Sequence, residues 1–569
     1  MPDRTVYLET FGCQMNELDS ELVAGALTAL GYRFVPRLEG ADVVLFNTCS
    51  VRERAEQKVW SRLGALKERK SENPGMVVGV LGCMAERDGI DLIRRMPVVD
   101  VLCGPGELDK LPALLDNAVR TRASLLGEEG AAELAAARSA RAVALQGNTS
   151  RRSGTLSAAA DSLELLDLNR AISPSGGAGK SSAYVRITRG CNKFCTYCVV
   201  PFTRGAEIHR PPEHIIDECK RLADSGVIEV TLLGQTVNHY RYEDAVAVSL
   251  NGVRQPQKGR TYKGSHNRDA LSGRAGVTTF ADLLRRIHDE VPAIQRLRFV
   301  TSYPRDFGDD VLEVIRDHPR ICRYIHVPAQ TGSNSQLRAM NRGYTVEQYL
   351  EFIDRCRHYL DQPELGRPLM LSGDVIVGFP GETDEDFGAT VALLERARYK
   401  NCFIFKYSPR PGTVAFDKLP DDVPEHVKRK RNNHLLAVQA RISDEISREQ
   451  VGREFDVLVE GLSRREHKKR GTDVKPGSGM VSITIGGSKL APVAGGESGG
   501  NGAACSPDGS AVLTPEAGGP VQLSGRTDTD LIVFFNAPQG TPPDDLVGKV
   551  MRCRITGASN LALEGELVA

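Results

Sequence analysis

The sequence predicts an α/β protein in three parts: an open N-terminal α/β domain, a central parallel barrel or part of one, and a small C-terminal β-barrel of the OB type. Three observations carry this expectation. Short β-rich runs alternate with helix-like segments over residues 5–120, and again, more regularly, over 183–408. After residue 450 only strand-like runs follow. A chain of 569 residues is also too long for a single core.

In the first part, taken as residues 3–120, the runs VYLETFGC, DVVLFNTC and VVGVLGC each end in a cysteine: Cys13, Cys49 and Cys83. The spacings of 36 and 34 residues suit strand, helix and return. If the strands are parallel, their carboxyl ends share one sheet edge, where such sheets bind ligands. A strand-end cysteine taken alone reads as a small buried hydrophobe. Three at equivalent positions, two of them in Gly-Cys pairs, read equally well as ligands. Cys103, in VDVLCGPGE, is kept as a core residue.

Residues 129–182 shift to Ala, Ser, Gly and Arg, the composition of a low-complexity linker or surface insertion. PSGGAGKS within it misses the phosphate-loop pattern at Pro174, and no strong strand precedes it. The alternation then resumes as a barrel over 183–420. Its strands are AYVRIT, IEVTLLG, RLRFVT, RYIHVP, GDVIVGF and CFIFKYS, with a polar insertion at about 242–277. A charged helix at 424–449 leads to the C-terminal part, 450–569, with strands EFDVLVEGL, DLIVFFNA, GKVMRCRITGA and ALEGELV. The Gly/Ser-rich stretch at about 465–523 is expected to be disordered. The basic runs VKRKR and RREHKKR are either solvated faces or RNA contacts.

Lys plus Arg and Asp plus Glu both number 73, so net charge gives no sign of nucleic-acid binding. No apolar run suits a secretory signal or membrane span, so a cytoplasmic location without membrane contact is expected. There the thirteen cysteines would be thiols or metal ligands rather than disulfides.

RGCNKFCTYCVVPFTRG, residues 189–205, follows the first barrel strand and places Cys191, Cys195 and Cys198 on one loop as C-x3-C-x2-C. Three thiolates this close can hold three irons of a cubane cluster and leave the fourth open. A structural zinc site would want four protein ligands.

The C-x3-C-x-aromatic-C pattern, with Tyr197 as the aromatic, resembles that of the radical S-adenosylmethionine (SAM) enzymes. Joined to TFGCQMN, FNTCSVRE and LGCMAER upstream, and to LLGQTVN, TSYP, HVPAQTGS, NRGYT, DVIVGFPGET and YSPRPGT downstream, it resembles the methylthiotransferases of that superfamily. The wording GCQMNELDSE and CTYCVVPFTRG is most similar to those acting on isopentenylated adenosine in tRNA.

The resemblance implies an incomplete (βα)6 core, an RNA-binding TRAM domain at the C-terminus, and two [4Fe-4S] clusters. One cluster would sit on Cys191, Cys195 and Cys198, with SAM on its open iron. The auxiliary cluster would sit on Cys13, Cys49 and Cys83 and carry a sulfur. One SAM would methylate that sulfur by polar transfer. A second would be cleaved to a deoxyadenosyl radical, allowing methylthio to replace the C2 hydrogen of the adenine at tRNA position 37. That base lies in the single-stranded anticodon loop and can be splayed out.

Implied SAM contacts are Tyr197 near the adenine, Gly234 and Gln235 at the second strand's end, and Ser302, Gln330 and Asp374 at later strand ends. The other readings are turn chemistry for Gly234 and structural hydrogen bonding for the polar group. Arg204 and Arg210 could meet the SAM carboxylate or RNA phosphate, or be surface charges. Implied partners are the tRNA anticodon loop, an electron donor such as flavodoxin or ferredoxin, and a sulfur source, with the enzyme a monomer. Three rival readings stay open at this point. The first two are methylthiotransferases for threonylcarbamoyladenosine or for a ribosomal-protein aspartate; the third is a non-catalytic iron–sulfur RNA-binding protein.

Overall fold

The structure is a computed structural model that describes residues 4–50, 53–127, 142–145, 162–170, 181–259, 274–470 and 520–568. The phosphate-loop-like PSGGAGKS, up to Lys180, and most of the stretch expected to be disordered lie outside those residues.

The N-terminal domain is a six-stranded sheet of β1 (Thr5–Phe11), β2 (Arg33–Phe34), β3 (Val43–Thr48), β4 (Val77–Gly82), β5 (Val101–Cys103) and β6 (Ala142–Ala144). The spatial order is β2-β1-β3-β4-β5-β6, and every pairing is parallel. β3 and β4 are buried at every position. Their unbroken apolar runs are what a sheet covered on both faces requires. One face packs against α1 (Gln14–Ala29) and α4 (Leu111–Gly127). The other packs against α2 (Glu53–Glu72) and α3 (Cys83–Arg95). Cys103 is fully buried in the first of these cores, as expected of a core residue.

The stretch read as a linker is not one throughout. β6 completes the sheet, and α5 (Ser162–Leu168) carries Glu164 and Asp167 into a buried ion-pair network with Arg186, Arg210, Glu218 and His214. Its inward groups are partly carboxylates and it is a short element, so hydrophobic periodicity could not reveal it.

The central domain arranges six parallel strands as two three-stranded sheets: β7 (Ser182–Arg186), β8 (Glu229–Leu233) and β9 (Arg296–Phe299), then β10 (Tyr324–His326), β11 (Met370–Val377) and β12 (Asn401–Lys406). A single bridge, Leu297 to Ile321, joins the two halves. All six strands read from the sequence are present. The arc leaves β7 and β12 as its edges. Outward side chains such as Val230, Leu232, Val375 and Val377 join the core beneath α7 (Pro212–Asp224), α8 (Phe280–Glu290), α9 (Asp309–Asp317), α11 (Val346–Leu360) and α12 (Asp384–Ala397). Capping boxes at Thr279/Asp282, Thr345/Gln348 and Thr383/Asp386 start three of these helices. The insertion after Tyr240 forms short strands, one of which (Arg241–Glu243) pairs with Val277–Thr279 and carries the buried Tyr242; residues 260–273 lie outside the described residues.

After α14 (Glu425–Arg448) comes a closed five-stranded barrel: β13 (Glu454–Leu462), β14 (Gln522–Thr527), β15 (Ile532–Asn536), β16 (Val550–Ala558) and β17 (Leu563–Leu567). Four of these strands were legible in the sequence. β14, polar QLSGRT at the edge of the stretch expected to be disordered, was not. The β14–β15 turn docks against the amino-terminal end of the central strands. Arg296 donates to the carbonyls of Arg526 and Asp456, Arg298 to those of Thr527 and Asp528, and Lys400 pairs with Asp530. Glu229, at the start of β8, binds both Arg298 and Arg526. Among the described residues no helix is long and apolar enough to cross a membrane.

Candidate active site

Strand register brings the first three cysteines together. Thr48 pairs with Phe11 on one side and Gly82 on the other, so the residues that follow, Gly12-Cys13, Cys49 and Cys83, leave the sheet side by side. Neighbouring strands lie roughly 4.8 Å apart, which puts three adjacent strand ends within about 10 Å. The two Gly-Cys glycines permit this approach. A Cβ on Gly12, at φ +145, would fall 2.6 Å from Cys49 Cβ, and one on Gly82, at φ +86, would fall 2.4 Å from Asn47 Oδ1. Behind the thiols, buried Asn47 donates to the Asn16 carbonyl (2.8 Å) and Ser20 Oγ (2.9 Å), and accepts from Asn16 Nδ2 (3.0 Å). Asn16 Oδ1 in turn accepts from Cys13 Sγ (3.3 Å). These asparagines of CQMN and FNTC lock the first turn of α1 to β3. A hydrogen bond from the Cys49 thiol, which outweighs burial with help from Arg204, holds the Cys13 thiol down at about 6. Burial pushes Cys83 upward.

The second set is local. Phe194, at φ +50, turns the chain between Cys191 and Cys195. The Cys191 N–H donates to the Gly205 carbonyl (3.1 Å) and Cys198 N–H to that of Cys195 (3.0 Å). Thr196 is held by the Met340 and Ala339 carbonyls and by the N–H of Ala415. Lys193 pairs with Asp306, and Asn192 accepts from the Glu207 N–H. Buried Arg342 reaches Cys195 Sγ and Tyr197 Oη, both at 3.5 Å, and is itself fixed by the Pro328 carbonyl and Tyr344. Burial, then Glu207 and Cys195, pushes the Cys191 thiol up to about 11.

The two sets face a common space. The N-terminal domain spans the carboxyl-end mouth of the half-barrel from its first strand to its last. On one side Asp19 of α1 pairs with Arg204 (2.8 Å) and approaches Arg186 of β7 (3.7 Å); on the other, Glu56 of α2 pairs with Arg410, beyond β12 (2.7 Å). Cys13, Met15, Leu18 and Leu22 pack on Leu233 and Val300, at the ends of β8 and β9. The short α6 (Val200–Thr203), directly after Cys198, packs on α3, which begins at Cys83.

Residues 5–104 match the model of "Uncharacterized protein family UPF0004", and residues 185–394 that of the radical SAM superfamily. A tRNA-2-methylthio-N(6)-dimethylallyladenosine synthase of Rhodopirellula baltica is 43% identical over 465 residues, which cover 82% of this chain and 85% of the relative. One of Moorella thermoacetica is 35% identical over 569 aligned positions, covering 99% and 98%. The chain belongs to the tRNA-2-methylthio-N(6)-dimethylallyladenosine synthase family. Among solved structures, the radical SAM methyltransferase TsrM of Kitasatospora setae, with cobalamin and a [4Fe-4S] cluster bound, aligns at 15% identity and a TM-score of 0.41 over 73% of this chain and 77% of that one.

In this member of the synthase family the other expected site residues fall on or after the carboxyl halves of the strands. Gly234 and Gln235 follow β8, Ser302 follows β9 and Gln330 follows β10. Asp374 does not stand at a strand end as expected. It lies within β11, 3.5 Å from His326 Nε2, because β11 runs on to Val377. Gly234 has a packing reason: a Cβ there would sit 2.3 Å from Thr188 Cγ2. Gln330 holds φ +74 and donates its N–H to the Asp374 carbonyl (2.8 Å). Tyr197 meets Phe379 edge to face, with centroids 6.4 Å apart. Gln235 Oε1 and Ser302 Oγ are buried and have no hydrogen-bond partner among the described residues. Orphaned polar atoms at strand ends fit a polar ligand in the mouth; two sets of three thiols fit iron–sulfur clusters.

Arg204 and Arg210 are not surface charges. Both are buried, Arg204 against Asp19 and Arg210 against Glu164 and Glu218, so neither is a ready SAM or phosphate contact. Sequence reasoning missed Asn16, Asn47 and Arg342 as positioning residues, although each lies inside a motif quoted for the resemblance.

Proposed function

We propose that this chain converts N6-dimethylallyladenosine at position 37 of tRNA to its 2-methylthio derivative. The observation that carries the reading is the convergence of two sets of three thiols, from separate folding units, on the mouth of one half-barrel. Cys13, Cys49 and Cys83 would hold the auxiliary [4Fe-4S] cluster, and Cys191, Cys195 and Cys198 the cluster that binds SAM. Tyr197, Gly234, Gln235, Ser302, Gln330 and Asp374 would line SAM itself. When bound, these groups supply single-electron reduction, a radical and a methylated sulfur.

The chain's own residues bind, orient and enclose. The N-terminal domain, fixed at both edges of the arc by Asp19 and Glu56, would cover the mouth, with the target adenine between the two thiol sets. Arg342 holds the Cys195 sulfur and the Tyr197 hydroxyl in fixed relation. Ser372 fixes His326 through Nδ1 (2.6 Å), turning its Nε2 toward Asp374 on the concave face.

Residues 3–120 would be the auxiliary-cluster domain, 183–420 the radical SAM barrel, and the C-terminal barrel a TRAM-like RNA-binding unit. Of the two basic runs, VKRKR spends Lys428 and Arg431 on ion pairs with Asp421, Glu382 and Asp384. RREHKKR instead forms α15 (Arg464–Lys469), with Arg464, Arg465 and Lys468 exposed, and is the better grip on tRNA backbone. A flavodoxin- or ferredoxin-like electron donor, a separate sulfur source, a monomeric state and a cytoplasmic location complete the proposal.

The test combines anaerobic reconstitution with mass spectrometry of tRNA from cells lacking the protein. Expected are about eight irons per chain, the content of two four-iron clusters, and loss of the 2-methylthio mark at position 37. About four irons, or an intact mark, would refute it.

A further inference from the structure

We infer that Arg204, supplied by the central domain, is the counter-charge that sets the reduction potential of the cluster proposed for the N-terminal domain. The inference rests on the ligand assignment proposed above for Cys13, Cys49 and Cys83.

Arg204 caps the C-terminus of α6, six residues after Cys198, so its chain position belongs to the loop trio. Its side chain points the other way. It is 5% exposed and donates to Asp19 Oδ2 at 2.8 Å, on the helix that begins immediately after Cys13. Arg204 therefore stands where two ligand-bearing elements meet: α1, which starts directly after Cys13 and carries Asp19, and α3, which starts at Cys83 and packs on the helix that Arg204 caps. Asp19, the group it meets in the N-terminal domain, is negative and itself 1% exposed. Arg186, 3.7 Å from Asp19, is engaged by Asp167.

Reduction by one electron adds one negative charge to a thiolate-held cluster. A buried cation beside its ligands stabilises the reduced form and raises the potential, whereas a buried carboxylate lowers it. The ion pair therefore sets the potential through two opposed charges contributed by two domains, and the N-terminal cluster takes its working value only when the domains are docked. A purely structural salt bridge would not produce opposite shifts on removal of its two ends.

The experiment uses the full-length chain carrying Cys191→Ala, Cys195→Ala and Cys198→Ala, so that only the strand-end trio can hold a cluster. It is reconstituted anaerobically with iron and sulfide and titrated with dithionite while the electron paramagnetic resonance signal of the reduced cluster is followed. Arg204→Met is expected to shift the midpoint to more negative potential, Arg204→Lys to restore most of the shift, and Asp19→Asn to move it to more positive potential. Equal midpoints, or shifts of one sign for Arg204→Met and Asp19→Asn, overturn the inference. If Arg204→Met fails to retain iron, Asp19→Asn decides alone: an unchanged or more negative midpoint overturns it. A parent that holds no cluster overturns both this inference and the ligand assignment, whereas a parent with a normal cluster and unmoved variants overturns this inference only.

Discussion

The two cysteine sets reach the same mouth by opposite routes. Cys191, Cys195 and Cys198 share an eight-residue stretch, so the loop itself brings them close, and the surrounding contacts from Asn192, Lys193, Thr196 and Arg342 only fix its shape. Cys13, Cys49 and Cys83 are brought together by sheet register, with two strand–helix connections between them. The difference decides what each can tolerate. A local loop pays little closure entropy and depends on its immediate neighbours. A strand-end set inherits the stability of the whole sheet and is vulnerable wherever register or strand spacing is disturbed, including at residues that touch no sulfur.

The sharpest way to separate the two is to remove one thiol from each. Cys195→Ala is expected to abolish deoxyadenosine formation and the methylthio product alike, whereas Cys49→Ala should abolish the product and leave SAM cleavage, each variant losing about four of eight irons. Liquid chromatography–mass spectrometry of both products checks this; loss of deoxyadenosine in Cys49→Ala would show that the sets do not act separately. A smaller effect tests dependence on the sheet. Asn47→Ala touches no sulfur but strands buried partners on Asn16 and Ser20, and should cost about 3 kcal/mol of stability. Chemical denaturation of the apoprotein measures it, and strand-end iron should be lost before loop iron.

The smallest effect concerns the loop's surroundings. Both nitrogens of His239 face carboxylates, Nε2 toward Asp306 at 2.7 Å and Nδ1 toward Glu207 at 3.2 Å, so both donate and the ring is an imidazolium. Burial opposes that charge, but Glu207 and Asp306 outweigh it and raise the His239 pKa. Because the folded value is raised, the stability it brings is fully present below the unfolded pKa of about 6.5 and is lost as pH rises through the folded value. The gap in melting temperature between the protein and its His239→Gln variant should therefore be widest in mild acid and narrow toward alkaline pH. A gap independent of pH would rule out the imidazolium.

Much of this was legible because parallel α/β folds align sequence periodicity with geometry. A run such as VVGVLGC announces both a buried strand and the sheet edge at which it ends. What escaped reading shares one cause: burial satisfied by charge rather than by apolar area. α5 inserts Glu164 and Asp167 where a periodicity search wants Leu. Arg204 and Arg210 look like surface charges until the carboxylates opposite them are located in space. β14 alternates polar residues with Leu523 and Gly525 and closes a barrel through backbone pairing. Asp374 was misplaced for a simpler reason, since the run GDVIVGF does not reveal where along the strand the ligand-facing level lies.

The β14–β15 turn at the foot of the half-barrel bears on which parts of the molecule can stand alone. Arg298 and Glu229 are almost completely shut away from water, and their remaining partners, Arg526 and the carbonyls of Thr527 and Asp528, come from the C-terminal barrel. Without the barrel, Arg296 and Arg298 would lose their carbonyl acceptors and Glu229 one of its two cations, so the two units are expected to unfold as one block. A chain cut ahead of β13 would then lose the floor of the half-barrel along with the small barrel itself.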